Sequence, residues 1–155
     1  MAPQAYFPHI ALLLRALRIN RERLGGRSKI AVDARLFCAL LQEVAARQGF
    51  SAEFYLKSYP DIADAYAAGN IADLHQHFIN TGYLEGRQGA PVAVDEAFYA
   101  ATYPDVAKAV AKGRITSGSD HYLRSGAAEG RLPNAALRPA VEHWMSLLNT
   151  DPPRD

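Results

Sequence analysis

The chain has little to staple its fold, little net charge and no long apolar run to anchor it. It holds one cysteine, Cys38, in 155 residues, which excludes an intramolecular disulfide and a cysteine-cluster metal site. Its 17 Lys and Arg meet 16 Asp and Glu for a net charge of +1, so no global field recruits nucleic acid or an acidic surface. Nothing approaches the roughly 20 consecutive apolar residues of a membrane span. The run Ile10–Leu14 is too short for a signal-peptide core, is followed directly by Arg15 and Arg18, and has no small-residue cleavage pattern near it. These absences predict a soluble chain, cytoplasmic by default, with a signal-less export route leaving no such trace.

What is present is ordinary in amount: 49% apolar and 21% charged residues, in a length that buries one core without staples. A single helical domain over residues 1–155 is expected. The organisation lies in a duplication. Shifting the sequence by 44 residues aligns Ser51–Gln88 with Asp95–Leu132 without a gap, with 15 identities in 38 positions. The identical pairs include Tyr55/Tyr99, Tyr59/Tyr103, Pro60/Pro104, Asp61/Asp105, His77/His121, Glu85/Glu129 and Arg87/Arg131.

The shared residues fall where helices start and stop. Ser51 and Asp95 are good N-caps for a first helix, which should end near Tyr59 or Tyr103 because the residue before proline avoids the helical region. Pro60 and Pro104 suit the first position of a second helix, with Asp61 and Asp105 favoured at its positive end. That helix should stop at Gly69 or Gly113. A third runs through His77 or His121 and stops at Gly82 or Gly126, and Glu-Gly-Arg closes each copy in a turn with its glycine at positive φ. Three short helices cannot bury an apolar face alone, so the copies are expected to pack on each other or on flanking helices. The flanks are an N-terminal segment, residues 1–50, and a C-terminal helix over residues 135–149 carrying Trp144. The N-terminal segment holds one helix with Ile10, Leu13, Leu14 and Leu17. A second is capped by Asp33 and reaches Gln48, with Leu36, Phe37, Leu40, Leu41 and Val44 on one stripe. Between them, Arg21–Lys29 reads as a polar loop, and Asp151–Asp155 as a frayed end. The fold class is therefore all-α: two tandem three-helix units, residues 51–88 and 95–132, between flanking helices.

The pattern Phe-Tyr-x3-Tyr-Pro-Asp-Val/Ile-Ala-x-Ala, then His-aromatic-x3-Gly-x2-Glu-Gly-Arg, resembles a short helical repeat of bacterial proteins. That repeat occurs in large secreted or surface proteins, including repeats-in-toxin-like adhesins, and attached to glycosyltransferases for surface polysaccharides. The resemblance covers about half the chain and implies no activity for the repeat itself. Two departures matter. Tyr59 and Tyr103 stand where the family has a capping Asn, so burial of the rings is expected to retain them. The calcium-binding Gly-Gly-x-Gly-x-Asp repeats are absent, so calcium is not implied.

Several constellations carry candidate chemistry. His77 and His121 with Glu85, Glu129, Arg87 and Arg131 resemble a general base with an orienting partner. Their duplication favours a structural role instead: each histidine donating to a backbone carbonyl, Arg87 pairing with Asp61 and Arg131 with Asp105, and Glu85 and Glu129 as alternative partners. Asp73, His75 and His77 diverge around a helix, and the second copy has Ser117, Ser119 and His121 there, so no metal site is expected. Arg15, Arg18, Arg21, Arg23, Arg27 and Lys29 against Glu22 form a basic stretch that suits phosphate or anionic lipid, or is a solvated helix end and loop. Cys38 is expected to be a buried small hydrophobe. No Ser-His-Asp order, phosphate loop or dinucleotide fingerprint is present. No catalytic, metal-binding or cofactor-binding residue is assigned. The expected role is a non-catalytic interaction module with a protein partner, accessory to surface-polysaccharide synthesis or export. Tyr55, Tyr66, Tyr83, Tyr99 and Trp144 are its candidate contacts. Glycan binding, self-association and an enzyme using the repeated His, Glu and Arg are the alternatives; nucleic acid is not expected.

Overall fold

The computed structural model describes residues 6–25 and 29–148, and among these every regular element is helical. The chain divides into two compact units, Met1–Ala46 and Arg47–Asp155, where its length suggests one domain. Arg27 and Asp151–Asp155 lie outside the described residues.

In the first unit, α1 spans Ile10–Leu17 and α2 spans Ala34–Ala46. The stretch expected as loop begins with a 3-10 turn, Arg21–Gly25. Asp33 caps α2, its carboxylate accepting from Arg35 N at 3.0 Å and Leu36 N at 3.3 Å. The helix ends at Ala46 rather than Gln48. Phe37 and Val44, expected on the inner stripe, are half exposed, and Cys38 is half-buried rather than buried. Ala45 alone among the described residues of this unit is buried, because two short helices enclose too little volume for a dry core.

In the second unit, α3 (Ala52–Ser58), α4 (Pro60–Ala67) and α5 (Leu74–His77) are followed by a π-helical turn, Phe78–Gly82. Then α6 (Glu96–Thr102), α7 (Pro104–Ala111) and α8 (Gly118–His121) lead into a π turn at Tyr122–Gly126. A 3-10 turn, Ala135–Leu137, precedes α9, Arg138–Leu148, so the helix expected over residues 135–149 changes pitch at Arg138. Each boundary has a local cause. Ser51 Oγ accepts from Phe54 N at 3.2 Å and Asp95 Oδ1 from Phe98 N at 3.0 Å, capping α3 and α6. Pro60 and Pro104 open α4 and α7. Gly86 and Gly130, at φ +79° and +68°, form the left-handed corner that lets Arg87 N and Arg131 N bond back to Gly82 O and Gly126 O at 2.9 Å.

The third helix of each copy does not run uniformly to its glycine. It widens into i→i+5 bonds, Tyr83 N to Phe78 O at 2.8 Å and Ala127 N to Tyr122 O at 2.9 Å. The reason lies in packing. Tyr55 and Tyr99 are 0% exposed, and their hydroxyls reach the backbone of the π turns. A Cβ on Gly82 would stand 2.1 Å from Tyr55 Oη, and one on Gly126 2.2 Å from Tyr99 Oη. Only a bare backbone fits there.

Candidate functional site

The chemistry-bearing side chains of the duplicated motif gather around these two buried tyrosines, once per copy. Tyr55 Oη lies 3.2 Å from His77 Nδ1, and Tyr99 Oη 3.0 Å from His121 Nδ1. The histidines therefore pair with tyrosine hydroxyls rather than backbone carbonyls, because the ring buried beside them brings a hydroxyl that needs a partner. Burial pushes both tyrosines up to about 12 from an ordinary value near 10, which keeps them neutral. Tyr55 and Tyr99 are thus core residues, and their sequence-based assignment as surface contacts is corrected. A ring with no exposed area cannot touch a partner.

The second tyrosine of each copy works differently. Tyr59 and Tyr103 are half-buried, so complete burial does not retain them. Their rings are covered by guanidinium groups, Arg87 Cζ at 5.0 Å and Arg131 Cζ at 4.8 Å from the ring centroids. Their hydroxyls accept from Gln88 N and Leu132 N at 2.7 Å. A capping Asn could do neither, because it lacks a face for the arginine and the reach to the far end of the copy.

Each arginine meets both acids together. Arg87 forks onto Asp61, Nη1–Oδ1 at 3.1 Å and Nη2–Oδ2 at 2.8 Å, while its Nε donates to Glu85 at 2.9 Å. Arg131 pairs with Asp105 at 3.1 Å and 3.0 Å and donates from Nε to Glu129. The guanidinium bond holds each aspartate below the usual carboxylate range. The end of each copy is thereby tied to the start of its second helix.

Sequence reasoning missed one functional-looking carboxylate. Glu96 accepts from Gly118 N at 2.7 Å, from Ser119 N at 2.9 Å and from Ser119 Oγ at 2.6 Å, and the Ser119 bond chiefly lowers its pKa. It clamps the start of α8, a cap supplied from 22 residues upstream, which no local spacing reveals. Phe50 was also missed, although it had a signal. It stands just before the N-cap Ser51, and its ring lies 5.4 Å from that of Tyr55, the contact of a hydrophobic staple. Asp73 caps α5 through Gln76 N at 2.9 Å, His75 stacks on Phe50 at 4.7 Å and His77 turns to Tyr55. These three side chains do not converge, and no group of three metal-ligating side chains occurs among the described residues.

A cleft of 790 Å³ is lined by Lys57, Tyr59, Glu85 and Arg87 together with Asp120, Leu123 and Arg124. Its arginines are already paired, Arg124 with Asp120 at 2.6 Å. Neither His77 nor His121 lines it. Of the other candidate contacts, Tyr66 and Trp144 are exposed and Tyr83 is half-buried against Phe78 at 6.2 Å. No helix among the described residues is long and apolar enough to cross a membrane. Protein-family models, curated proteins and solved structures give no match to this chain.

Proposed function

We propose that the second unit is a tandem of two copies of one 44-residue helical structure serving as a non-catalytic interaction module. The observation that carries this reading is the consumption of the motif's reactive groups by internal bonds. Each histidine is held through Nδ1 by a buried tyrosine and lines no part of the 790 Å³ cleft, and each arginine is held by two acids and a ring. A general base needs a free nitrogen facing a substrate pocket. Here the repeated chemistry builds a frame, and the surface left for recognition is the exposed aromatic and apolar set, Tyr66, Trp144 and Leu147. Aromatic residues dominate interface energetics, so a protein partner is the expected ligand. Its setting, on the motif resemblance, is surface-polysaccharide synthesis or export.

The test is crosslinking affinity purification from the native host with wild type, Tyr66→Ala, Trp144→Ala and His121→Gln. A partner held by wild type and lost in the exposed-aromatic variants, but kept by a folded His121→Gln, supports the reading. A substrate turned over by wild type and not by folded His121→Gln overturns it.

A further inference from the structure

The first unit carries a combination that the motif does not use. Between Tyr6 and Gly25, the exposed side chains include Tyr6, Phe7, Ile10, Leu12 and Leu24 together with Arg15, Arg18, Arg21 and Arg23. Glu22 is the lone acid there, and none of the four arginines forms an ion pair among the described residues. Helix α1 buries no side chain. The two properties are segregated along the chain. Apart from Leu24, the large exposed apolar groups lie before Leu13, and the arginines begin at the helix's last turn and continue past Arg18, whose left-handed turn (φ 53°) ends it.

Charge and apolarity together select the occupant. A nucleic acid would satisfy the guanidiniums and leave Phe7 and Leu12 in water. An apolar protein groove would do the reverse. An anionic lipid surface satisfies both, because the acyl boundary receives apolar side chains while headgroup phosphates sit within reach of arginines. Eight residues of helix span about 12 Å, enough to dip into the headgroup region and far short of crossing. We propose that residues 6–25 form a peripheral docking element for an anionic lipid surface, with Tyr6, Phe7, Ile10 and Leu12 entering the acyl boundary and Arg15, Arg18, Arg21 and Arg23 pairing with lipid phosphates. This goes beyond the partner reading of the second unit and stands or falls separately.

The experiment is co-sedimentation of the full chain with vesicles of phosphatidylcholine alone or mixed with phosphatidylglycerol, at low and high salt. Partitioning onto the anionic vesicles should be at least about tenfold stronger than onto neutral ones and fall with salt, since each basic residue near such a surface contributes roughly fivefold. Replacing the four arginines with Gln should abolish that preference. The second variant, Phe7→Ser with Leu12→Ser, should weaken binding several-fold at unchanged charge, and far-ultraviolet dichroism should show the second unit folded in both. Equal binding to neutral vesicles, no binding to either, an unaffected arginine variant, or binding to duplex DNA without vesicle binding would each overturn the proposal.

Discussion

The two stretches that a 44-residue shift aligns, residues 51–88 and 95–132, make matching contacts and differ in what fills the space around them. Both have the buried tyrosine on its histidine, the second tyrosine under its arginine, and the glycine that admits the first ring. In the first copy the filling is apolar and aromatic. Leu74 and Phe78 are buried, and Phe50 packs on Tyr55, His75 and Phe78. In the second, Gly118 stands at the position of Leu74, Glu96 at that of Ala52, Ala100 at that of Leu56 and Val110 at that of Tyr66. The carboxylate of Glu96 occupies the place a side chain on Gly118 would need, 2.7 Å from its Cβ. A crevice of 330 Å³ remains beside Tyr99, Ala100 and Val110. The same skeleton therefore tolerates a greasy plug or a polar clamp, and the difference separates what specifies the fold from what only fills it.

The sharpest way to break the shared frame is at its glycines. Gly82→Ala and Gly126→Ala each force a methyl into a tyrosine hydroxyl and should cost about 2–3 kcal/mol by overpacking, with a further ~1–2 kcal/mol if the histidine loses its partner. Chemical denaturation should give similar losses in both copies. A loss confined to one would show that the filling, not the frame, sets stability.

The fillings can be exchanged. Glu96→Ala removes the clamp on α8 and should cost about 1–2 kcal/mol, the scale of a lost cap. Gly118→Leu alone collides with Glu96 and with Tyr99, whose Cδ1 lies 3.0 Å from the new Cβ, and should cost about 1–3 kcal/mol. Together they recreate the Ala52/Leu74 arrangement, and the double variant should lose at least ~1 kcal/mol less than the sum. Strict additivity in the denaturation midpoints would mean the two positions do not compensate.

How much of this was legible in the sequence follows from range. Caps, prolines and positive-φ glycines act within a turn, so the starts of α3, α4, α6 and α7 could be read from Ser51, Pro60, Asp95 and Pro104. The duplication exposed His77, Arg87 and their partners as a matched set. It could not say that Tyr55 faces inward and Tyr66 outward, because both sit on short helices with mixed faces. It could not show Gly82 as a packing contact rather than a helix stop, since that depends on a ring 27 residues earlier in the chain. The polar role of Glu96 was invisible for the same reason. The first copy has alanine there.

Alkali should strip both copies together. Tyr55 and Tyr99 titrate near 12 in the folded chain and near 10 when unfolded. Their folded pKa is raised, so the stability they contribute is complete below pH 10 and is lost as pH rises through about 12. Tyrosinate absorbance should show Tyr55 and Tyr99 among the late-titrating groups that appear with unfolding, beside Tyr122, which burial also raises, and one late group fewer in Tyr99→Phe. Early titration of either ring would sink the assignment of both as core.

The smallest effect, and the finest test of the frame, concerns the arginines. Arg87 and Arg131 are 19% and 21% exposed, but Asp61 and Asp105 are 61% and 63% exposed, so solvent screens the ion pairs. A double-mutant cycle on Arg87 and Asp61, or on Arg131 and Asp105, should return a coupling of about 0.5–1 kcal/mol, reduced by salt. The aspartate pKa is depressed in the fold, so this coupling is present above the unfolded value near 4 and lost as pH falls through the folded one. Arg87→Ala and Arg131→Ala should each cost about 1–2 kcal/mol, more than the coupling, because they also uncover the ring of Tyr59 or Tyr103. Zero coupling with the full single-variant cost would assign the arginine's hold on the copy to the ring and the glutamate on its Nε. Equal coupling and single-variant cost would assign it to the aspartate, and the tyrosine at the proline junction would then need another reason.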